Sequence, residues 1–182
     1  MSRMMRVAQA ADVPVLRELI ARSARGLSVG YYTPAQTEAA VRYVFGVDSQ
    51  LIADGTYFVV EEGGAVVACG GWSRRRTLFG GDQAKTAVDP LLDPAIEPAR
   101  IRAFFVDPRH ARQGLGRRLV DECTRAARAA GFGSLELVAT LPGEPLYAAA
   151  GFTVSERFEL TLPGDVRVPV ARMRRELEHR SP

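Results

Sequence analysis

The apolar positions in the first part of the chain recur with helical spacing. After a short extended segment, 5–9, Asp12 is a candidate N-cap for a helix whose apolar residues repeat every three or four positions through 13–20. Residues 33–36, Thr-Pro-Ala-Gln, predict a second helix, because they combine a capping box with proline at the first helical position. An apolar stripe over 40–45 continues this helix.

Strand patterning follows these two helices. Two apolar runs, 57–61 and 65–72, flank Gly63 and Gly64, and glycine tolerates the positive φ angles that tight hairpin turns need. A β-hairpin is therefore predicted. Regular patterning lapses over 73–98, which is rich in arginine, proline and glycine. Long ordered loops in compact domains are often functional, so this connection is a candidate region for substrate contacts.

The second half of the chain continues with a strand, a helix, a strand, a short helix and a closing hairpin: 101–106, 114–130, 135–139, 144–150, 152–162 and 166–173. A strand, helix, strand sequence predicts a parallel pair with a crossover, whereas hairpins predict antiparallel neighbours. The pattern indicates an α/β fold of the α+β type. We expect a mixed, mostly antiparallel sheet of about seven strands with about four helices, in a single domain over 1–182.

Composition and charge narrow the classes of function. The chain has 182 residues, is 47% hydrophobic and carries a net charge of +3, with its basic residues scattered among nearly as many acids. A solvated surface explains that pattern better than a nucleic-acid site does. No apolar run approaches the roughly 20 residues of a membrane span, and no signal peptide is recognisable. We expect a cytoplasmic protein that binds neither nucleic acid nor a membrane.

The two cysteines carry no recognisable chemistry. Cys69 lies in an apolar strand-like run and Cys123 in a helix-like run, without the spacing of a metal knuckle or a redox pair. Both are predicted to be small buried hydrophobic residues, and no metal site is expected.

An anion-binding arrangement follows the strand 101–106. Asp107 and Pro108 end the strand, and Gly114 and Gly116 open the next helix. The first N–H groups of a helix lack intrahelical partners and lie at the positive end of its dipole, so they bind phosphate well. The pattern lacks the lysine of a Walker loop and the third glycine of a dinucleotide site. A pyrophosphate on a long flexible arm is the remaining ligand with this layout.

Two motifs resemble those of the Gcn5-related N-acetyltransferase (GNAT) superfamily. The run 111–116 matches both glycines of its coenzyme A pyrophosphate loop, and 106–108 matches the strand end before that loop. Tyr147, four residues before Gly151 and Phe152, matches a second motif on a short helix. The element order resembles that of the family over the whole chain, so a GNAT-like fold is implied.

The resemblance implies an N-acetyltransferase that uses acetyl-CoA and acts on an amine of a small molecule or peptide by direct attack on the thioester. It also implies a set of coenzyme A contacts: Phe104, Phe105, Val106, Ala111, Arg112, Gln113, Gly114, Leu115, Gly116, Arg117 and Thr140. Three positions depart from the family pattern. Ala111 replaces Arg or Gln, although Arg112 or Gln113 offers a substitute donor; Thr140 replaces an asparagine; and Arg100 replaces a glutamate that serves some members as general base.

Tyr147 is the catalytic candidate. With a reference pKa of about 10, a tyrosine suits protonation of the leaving thiolate. A backbone N–H near Phe105 or Val106 is expected to polarise the thioester carbonyl. The base is unassigned: Glu97 is the nearest acid to the strand and His110 the nearest histidine, and neither position is persuasive.

Four aromatic residues are candidates for an acceptor pocket: Tyr31, Tyr32, Trp72 and Phe79. Ordinary core packing explains them equally well. An alternative function is a catalytically inactive coenzyme A-binding regulatory module, because the family glutamate is missing. The edge of the final hairpin is compatible with a homodimer.

Overall fold

A seven-stranded mixed sheet organises the protein, whose computed structural model describes residues 2–178. The strands are β1 (Arg3–Val7), β2 (Tyr57–Glu62), β3 (Ala65–Ser73), β4 (Ala99–Val106), β5 (Ser134–Thr140), β6 (Thr153–Leu162) and β7 (Val166–Glu176). Their order is β1-β2-β3-β4-β5-β7-β6, and only β4 and β5 are parallel. The predicted sheet, with its two hairpins and one parallel crossover, is confirmed.

Five α-helices flank the sheet in the described residues, one more than the sequence suggested: α1 (Val13–Leu27), α2 (Pro34–Tyr43), α3 (Ser49–Ala53), α4 (Leu115–Ala129) and α5 (Glu144–Ala149). The additional helix is α3, a short element capped by the Asp48 carboxylate, which accepts the Gln50 N–H. None of the helices within 2–178 is long and apolar enough to cross a membrane. The predicted domain also includes residues 1 and 179–182, which lie outside the described part, and its boundaries stay a prediction.

The two predicted N-caps differ in whether the side chain makes the capping bond. At α2 the capping box is present, since Thr33 Oγ1 accepts the Gln36 N–H and Gln36 Oε1 accepts the Thr33 N–H. Asp12 occupies the N-cap position of α1, as predicted, but its side chain makes no capping bond to the helix. A 3-10 turn precedes α1, and the Asp12 carboxylate instead accepts the Gln9 N–H at 2.7 Å and two bonds from the Arg6 guanidinium.

Alternating side chains divide the core between the two faces of the sheet. One face packs against α1, and we call it the α1 face; the other packs against α4, and we call it the α4 face. In β2, for example, Tyr57 and Val59 lie on the α1 face, whereas Phe58 and Val60 lie on the α4 face. Both cysteines are buried free thiols within these cores, as predicted.

A β-bulge interrupts β4 where the sheet begins to open. Cys69 pairs with Phe105 and Gly71 pairs with Arg102, so β4 has one residue more than β3 between these positions. Ala103, at the bulge, has a φ of 54°. Its carbonyl accepts a hydrogen bond from the hydroxyl of the fully buried Tyr57, with an O···O distance of 2.8 Å. This bond holds a backbone group that the bulge removes from regular pairing.

The parallel contact between β4 and β5 is short. It includes only the pairs Ala99 with Leu135 and Arg100 with Glu136. Beyond these pairs both strands continue, β4 to Val106 and β5 to Thr140, without bonding to each other. The sheet therefore has a gap between its two central strands.

The Tyr57 bond to the bulge can be tested with Tyr57→Phe. Because the Ala103 carbonyl would lose a buried partner, we expect the free energy of unfolding to fall by about 1–3 kcal/mol in urea titrations. Tyr43→Phe is the matched control, since the half-buried Tyr43 hydroxyl has no hydrogen bond to the described residues. Equal effects of the two substitutions would show that the bulge does not depend on Tyr57.

Candidate active site

A cavity of about 580 Å³ occupies the gap between β4 and β5. On the α4 face it is lined by the loop that opens α4 and by residues around α5. On the α1 face it is lined by the last turn of α1, by Tyr31 and by residues 78–81 of the long connection. The cavity thus reaches both faces of the sheet through the gap.

The loop before α4 presents a run of free backbone donors. The first helical bond runs from the Arg118 N–H to the Gly114 carbonyl, at 3.0 Å. The N–H groups of residues 112–117 have no protein acceptor within the described part of the chain. Arg112 and Gly114 have positive φ angles, 58° and 81°, which shape the turn into the helix. Such a run at a helix N-terminus is an anion site.

The two glycines of this loop have separate structural reasons. Gly114 has a positive φ, and a Cβ built on it would meet no atom within 4 Å, so its side faces open space. A Cβ on Gly116 would lie 2.8 Å from Leu146 Cδ2, so this glycine lets α4 pack closely against α5. Close approach of a ligand is therefore relevant to Gly114, whereas Gly116 is explained by packing.

Some polar side chains of the loop have no bond to another described residue, whereas others are bonded within the protein. Arg112 is exposed and makes no ion pair with another described residue. Arg117 donates to the Ala149 carbonyl at 3.0 Å. Gln113 bonds with Arg3 and is the one predicted coenzyme A contact that does not line the cavity. Of the two substitutes predicted for the donor missing at Ala111, only Arg112 lies at the cavity.

The remaining predicted contacts line the cavity from the strands and from the start of α4: Phe104, Phe105, Val106, Ala111, Leu115 and Thr140. Thr140 Oγ1 accepts the Gly143 N–H at 3.2 Å, so this hydroxyl also shapes the turn into α5. The Val106 N–H donates to Ser23 Oγ at 3.1 Å. Of the two backbone donors predicted for a thioester carbonyl, Val106 is therefore already occupied, and Phe105 pairs with Cys69 of β3.

Asp107 clamps this loop to the rest of the protein. Its side chain is buried, and it accepts bonds from the Arg109 guanidinium, the Arg109 N–H and the Arg22 guanidinium. These donors hold the pKa of Asp107 well below its usual range. Because Arg22 belongs to α1, the clamp connects α1 to the loop that opens α4. From the sequence we predicted only that the strand ends here. Aspartate side chains in turns often accept the backbone N–H two residues further along the chain, and this tendency is the signal that could have indicated the contact.

Tyr147 lies on α5 beside the cavity. Its ring packs between Phe104 and Phe152, with centroid distances of 6.0 and 5.9 Å. Burial raises the pKa of the Tyr147 hydroxyl well above its usual value, so it stays protonated at neutral pH. No group in the described residues bonds this hydroxyl, which suits a proton donor to a bound ligand. The structure thus brings Tyr147 and the anion site to one cavity.

Of the two candidate bases, only His110 lies at the cavity. Glu97 does not line it: its carboxylate pairs with Arg76 at 3.1 Å and accepts the Asp93 N–H at 2.7 Å. His110 does line it, but its Nε2 lies 2.7 Å from Glu62 and its Nδ1 is buried without a partner. No group of three or more His, Cys, Asp or Glu side chains in 2–178 is arranged to hold a metal ion.

The predicted acceptor residues divide into two pairs. Tyr31 and Phe79 line the cavity on the α1 face. Tyr32 and Trp72 do not, and these two predictions are corrected. Tyr32 is a buried bridge whose hydroxyl donates to the Pro169 carbonyl and accepts the Leu141 N–H. Trp72 is packed in the core of the α4 face. Periodicity marks such residues as apolar without showing whether a cavity lies beside them.

Comparison with known proteins gives one family. The model of the acetyltransferase (GNAT) family matches residues 21–152. No curated protein matches the sequence at a significant level.

Solved structures share the fold. A GCN5-related N-acetyltransferase from Rhodopseudomonas palustris is 18% identical, with a TM-score of 0.72 and 97% of each chain covered. The phosphinothricin acetyltransferase Pat from Sinorhizobium meliloti, solved with acetyl-CoA, is 24% identical, with a TM-score of 0.62, covering 97% of this chain and 89% of that one. The paia N-acetyltransferase from Thermoplasma acidophilum, solved with coenzyme A, is 12% identical, with a TM-score of 0.65, covering 97% of this chain and 99% of that one.

The Asp107 clamp predicts a pH-dependent contribution to stability. Since its folded-state pKa lies below the unfolded value of about 3.9, the contribution is present above that pH and is lost as the pH falls through the folded pKa. We expect Asp107→Asn to lower the free energy of unfolding by about 1–3 kcal/mol at neutral pH. In urea titrations the difference from the wild type should shrink below about pH 4.

Asp165→Asn is the control for this substitution, because the Asp165 side chain is 82% exposed and should contribute little at any pH. A deficit in Asp107→Asn that stays constant with pH would instead indicate that shape, rather than charge, is what the loop requires.

Proposed function

The chain belongs to the acetyltransferase (GNAT) family, and we propose that it transfers the acetyl group of acetyl-CoA to an amine of a small molecule or peptide by direct attack on the thioester. As a member of this family it is an acyltransferase with acetyl-CoA as donor. The observation that carries the proposal is one cavity that contains both the free N–H groups of 112–117 and the protonated hydroxyl of Tyr147.

The donor half of the cavity fits coenzyme A. The free N–H groups and the unpaired Arg112 would hold the pyrophosphate. The facing edges of β4 and β5 remain unpaired with each other beyond Arg100 and Glu136, and amide groups such as those of the pantetheine arm can bond to a strand edge. The cavity thus offers free N–H groups and Arg112 for the pyrophosphate and free strand edges for the amide-bearing arm.

The residues around the gap can serve the transfer itself. When bound, acetyl-CoA supplies an acyl thioester. The amine nitrogen forms a bond to the acyl carbon while the carbon–sulfur bond breaks. Tyr147 gives its proton to the sulfur. No backbone donor to the acyl oxygen is assigned, because Phe105 pairs with Cys69 of β3 and the Val106 N–H donates to Ser23. The Glu97 carboxylate pairs with Arg76 and His110 Nε2 with Glu62, so we assign the base role to water. A water molecule takes the proton from the amine and passes it on to the Tyr147 phenolate.

The cellular setting is also part of the proposal. The scattered charge of the chain supports a cytoplasmic enzyme that binds no nucleic acid. β6 forms one end of the sheet and is mostly exposed, which supports a homodimer through this edge.

The anion site predicts tight binding of acetyl-CoA that depends on Arg112. We expect Arg112→Ala to raise the dissociation constant about 5-fold or more, and less at high salt, because an exposed charge-assisted contact is lost and salt screens it. Isothermal titration calorimetry measures this effect. Arg17→Ala is the matched control, since Arg17 is equally an exposed arginine but lies outside the cavity lining. A wild type that does not bind acetyl-CoA would refute the proposed function.

The acid role of Tyr147 is tested with Tyr147→Phe, which keeps the packing against Phe104 and Phe152. We expect kcat for thiol release to fall about 100-fold, because general acid catalysis is lost, with little change in acetyl-CoA affinity. Tyr43→Phe, whose hydroxyl lies outside the cavity, should keep full activity. Tight acetyl-CoA binding by the wild type without turnover of any amine would instead identify an inactive coenzyme A-binding module.

A further inference from the structure

The end of the cavity on the α1 face is apolar and carries two exposed aromatic rings. Tyr31 is 48% exposed and Phe79 is 37% exposed, and both line the cavity. Other residues lining this end are Leu27, Val44, Phe45, Leu78, Leu160 and Val170. Large apolar side chains exposed toward a cavity are typical of a ligand pocket rather than of a packed core.

The backbone that carries Tyr31 is anchored. The Tyr31 N–H donates to the Ser28 carbonyl at 2.9 Å. The hydroxyl of the next residue, Tyr32, connects this segment to β7 and to the residue after β5, through the Pro169 carbonyl and the Leu141 N–H. The exposed ring of Tyr31 thus stands on a fixed support, so its exposure is not that of a loose loop.

Phe79 is held by a buried ion pair. Arg102, which is 2% exposed, pairs with Asp48 at 3.0 Å and donates to the carbonyls of Thr77 and Gly80 on either side of Phe79. The Phe79 ring also packs against Phe158, with a centroid distance of 6.5 Å. The segment 77–80 of the long connection is therefore fixed over the cavity from two sides.

The charges around the cavity disfavour an acceptor that carries a second ammonium group in addition to the amine that reacts. Arg102 is the one charged side chain that lines the cavity here, and its charge is balanced by Asp48, which also binds Lys85 at 2.6 Å. Arg112 adds positive charge at the other end of the same cavity, whereas Arg117 there pairs with Asp121 at 3.3 Å. A polyamine would meet cations and apolar groups, whereas an amine with an apolar body would bury that body against Tyr31 and Phe79.

We propose that the acceptor is a monoamine with an apolar body, preferably an aryl ring, which binds against Tyr31 and Phe79 on the α1 face of the gap. The inference rests on the proposed acetyl transfer and specifies its acceptor. The aromatic rings bind the body of the substrate by apolar burial and edge or offset ring contacts. The amine group is then directed through the gap toward Tyr147 on the α4 face.

A panel of amines tests this assignment by thiol release from acetyl-CoA. The probes are 2-phenylethylamine, hexylamine, ethanolamine and spermidine. We expect kcat/KM to be highest for 2-phenylethylamine, intermediate for hexylamine and at least about 10-fold lower for ethanolamine, because apolar pockets discriminate by buried area. Spermidine should be the poorest substrate of the panel.

Substitutions in the pocket provide the second readout. Phe79→Ala should lower kcat/KM for 2-phenylethylamine about 10-fold and for ethanolamine less than about 2-fold, with acetyl-CoA affinity unchanged. The kcat/KM of Phe79→Leu for 2-phenylethylamine should lie between those of the wild type and Phe79→Ala. Tyr31→Ala should also lower the ratio of kcat/KM for 2-phenylethylamine to kcat/KM for ethanolamine. Val88→Ala is the matched control, since Val88 lies in the same long connection, is 91% exposed and does not line the cavity.

The possible results distinguish a failure of the acceptor assignment from a failure of the proposed acetyl transfer. Turnover of spermidine or ethanolamine at least as efficient as that of 2-phenylethylamine would overturn the acceptor assignment and leave acetyl transfer intact. An equal loss for both amines in Phe79→Ala would also overturn it, because Phe79 would then be structural. Absence of turnover with every amine, peptides included, would overturn both.

Discussion

The early separation of β4 from β5 is the constraint on which the site depends. Two central strands that pair only at Ala99–Leu135 and Arg100–Glu136 leave their facing edges open in the middle of a sheet. Buried backbone groups need partners, so such an opening persists only where something else satisfies or spaces the strands. The bulge at Ala103, fixed by Tyr57, lies in the part of β4 that no longer pairs with β5. The same opening joins the α1 face to the α4 face, so one structural irregularity creates both halves of the cavity.

Charge around the anion site is arranged so that the loop is rigid but its donors stay free. Asp107 pairs with both Arg22 and Arg109 at the back of the loop, and Glu62 pairs with His110. These contacts use side chains, so the N–H groups of 112–117 are left for a ligand. A rigid set of donors loses little conformational entropy when an anion binds, which favours affinity. On the α1 face, Arg102 and Asp48 play a comparable part by fixing the segment that carries Phe79.

Features coded by local sequence were predictable, and features that arise from contacts between distant segments were not. The hairpin at Gly63-Gly64, the capping box of α2 and the helix opening at Gly114 follow from rules that act over a few residues. The bonds of Tyr57 to Ala103 and of Arg102 to Asp48 join residues 46 and 54 positions apart, and no local pattern announces them. The same limit explains Trp72 and Tyr32, which share their residue types with pocket aromatics but lie in the core.

The structure supplies a candidate acid for the proposed reaction but no assigned base. Burial against Phe104 and Phe152 keeps Tyr147 protonated, so the leaving sulfur has a donor. The acids nearest the site are committed to arginines or to His110, and Arg100 bonds with Glu136 where some relatives of the family have a base. An apolar acceptor end is consistent with this asymmetry, because desolvation lowers the pKa of an ammonium group. The pocket that selects an apolar amine would also favour its neutral, reactive form, and a dedicated base is then less necessary.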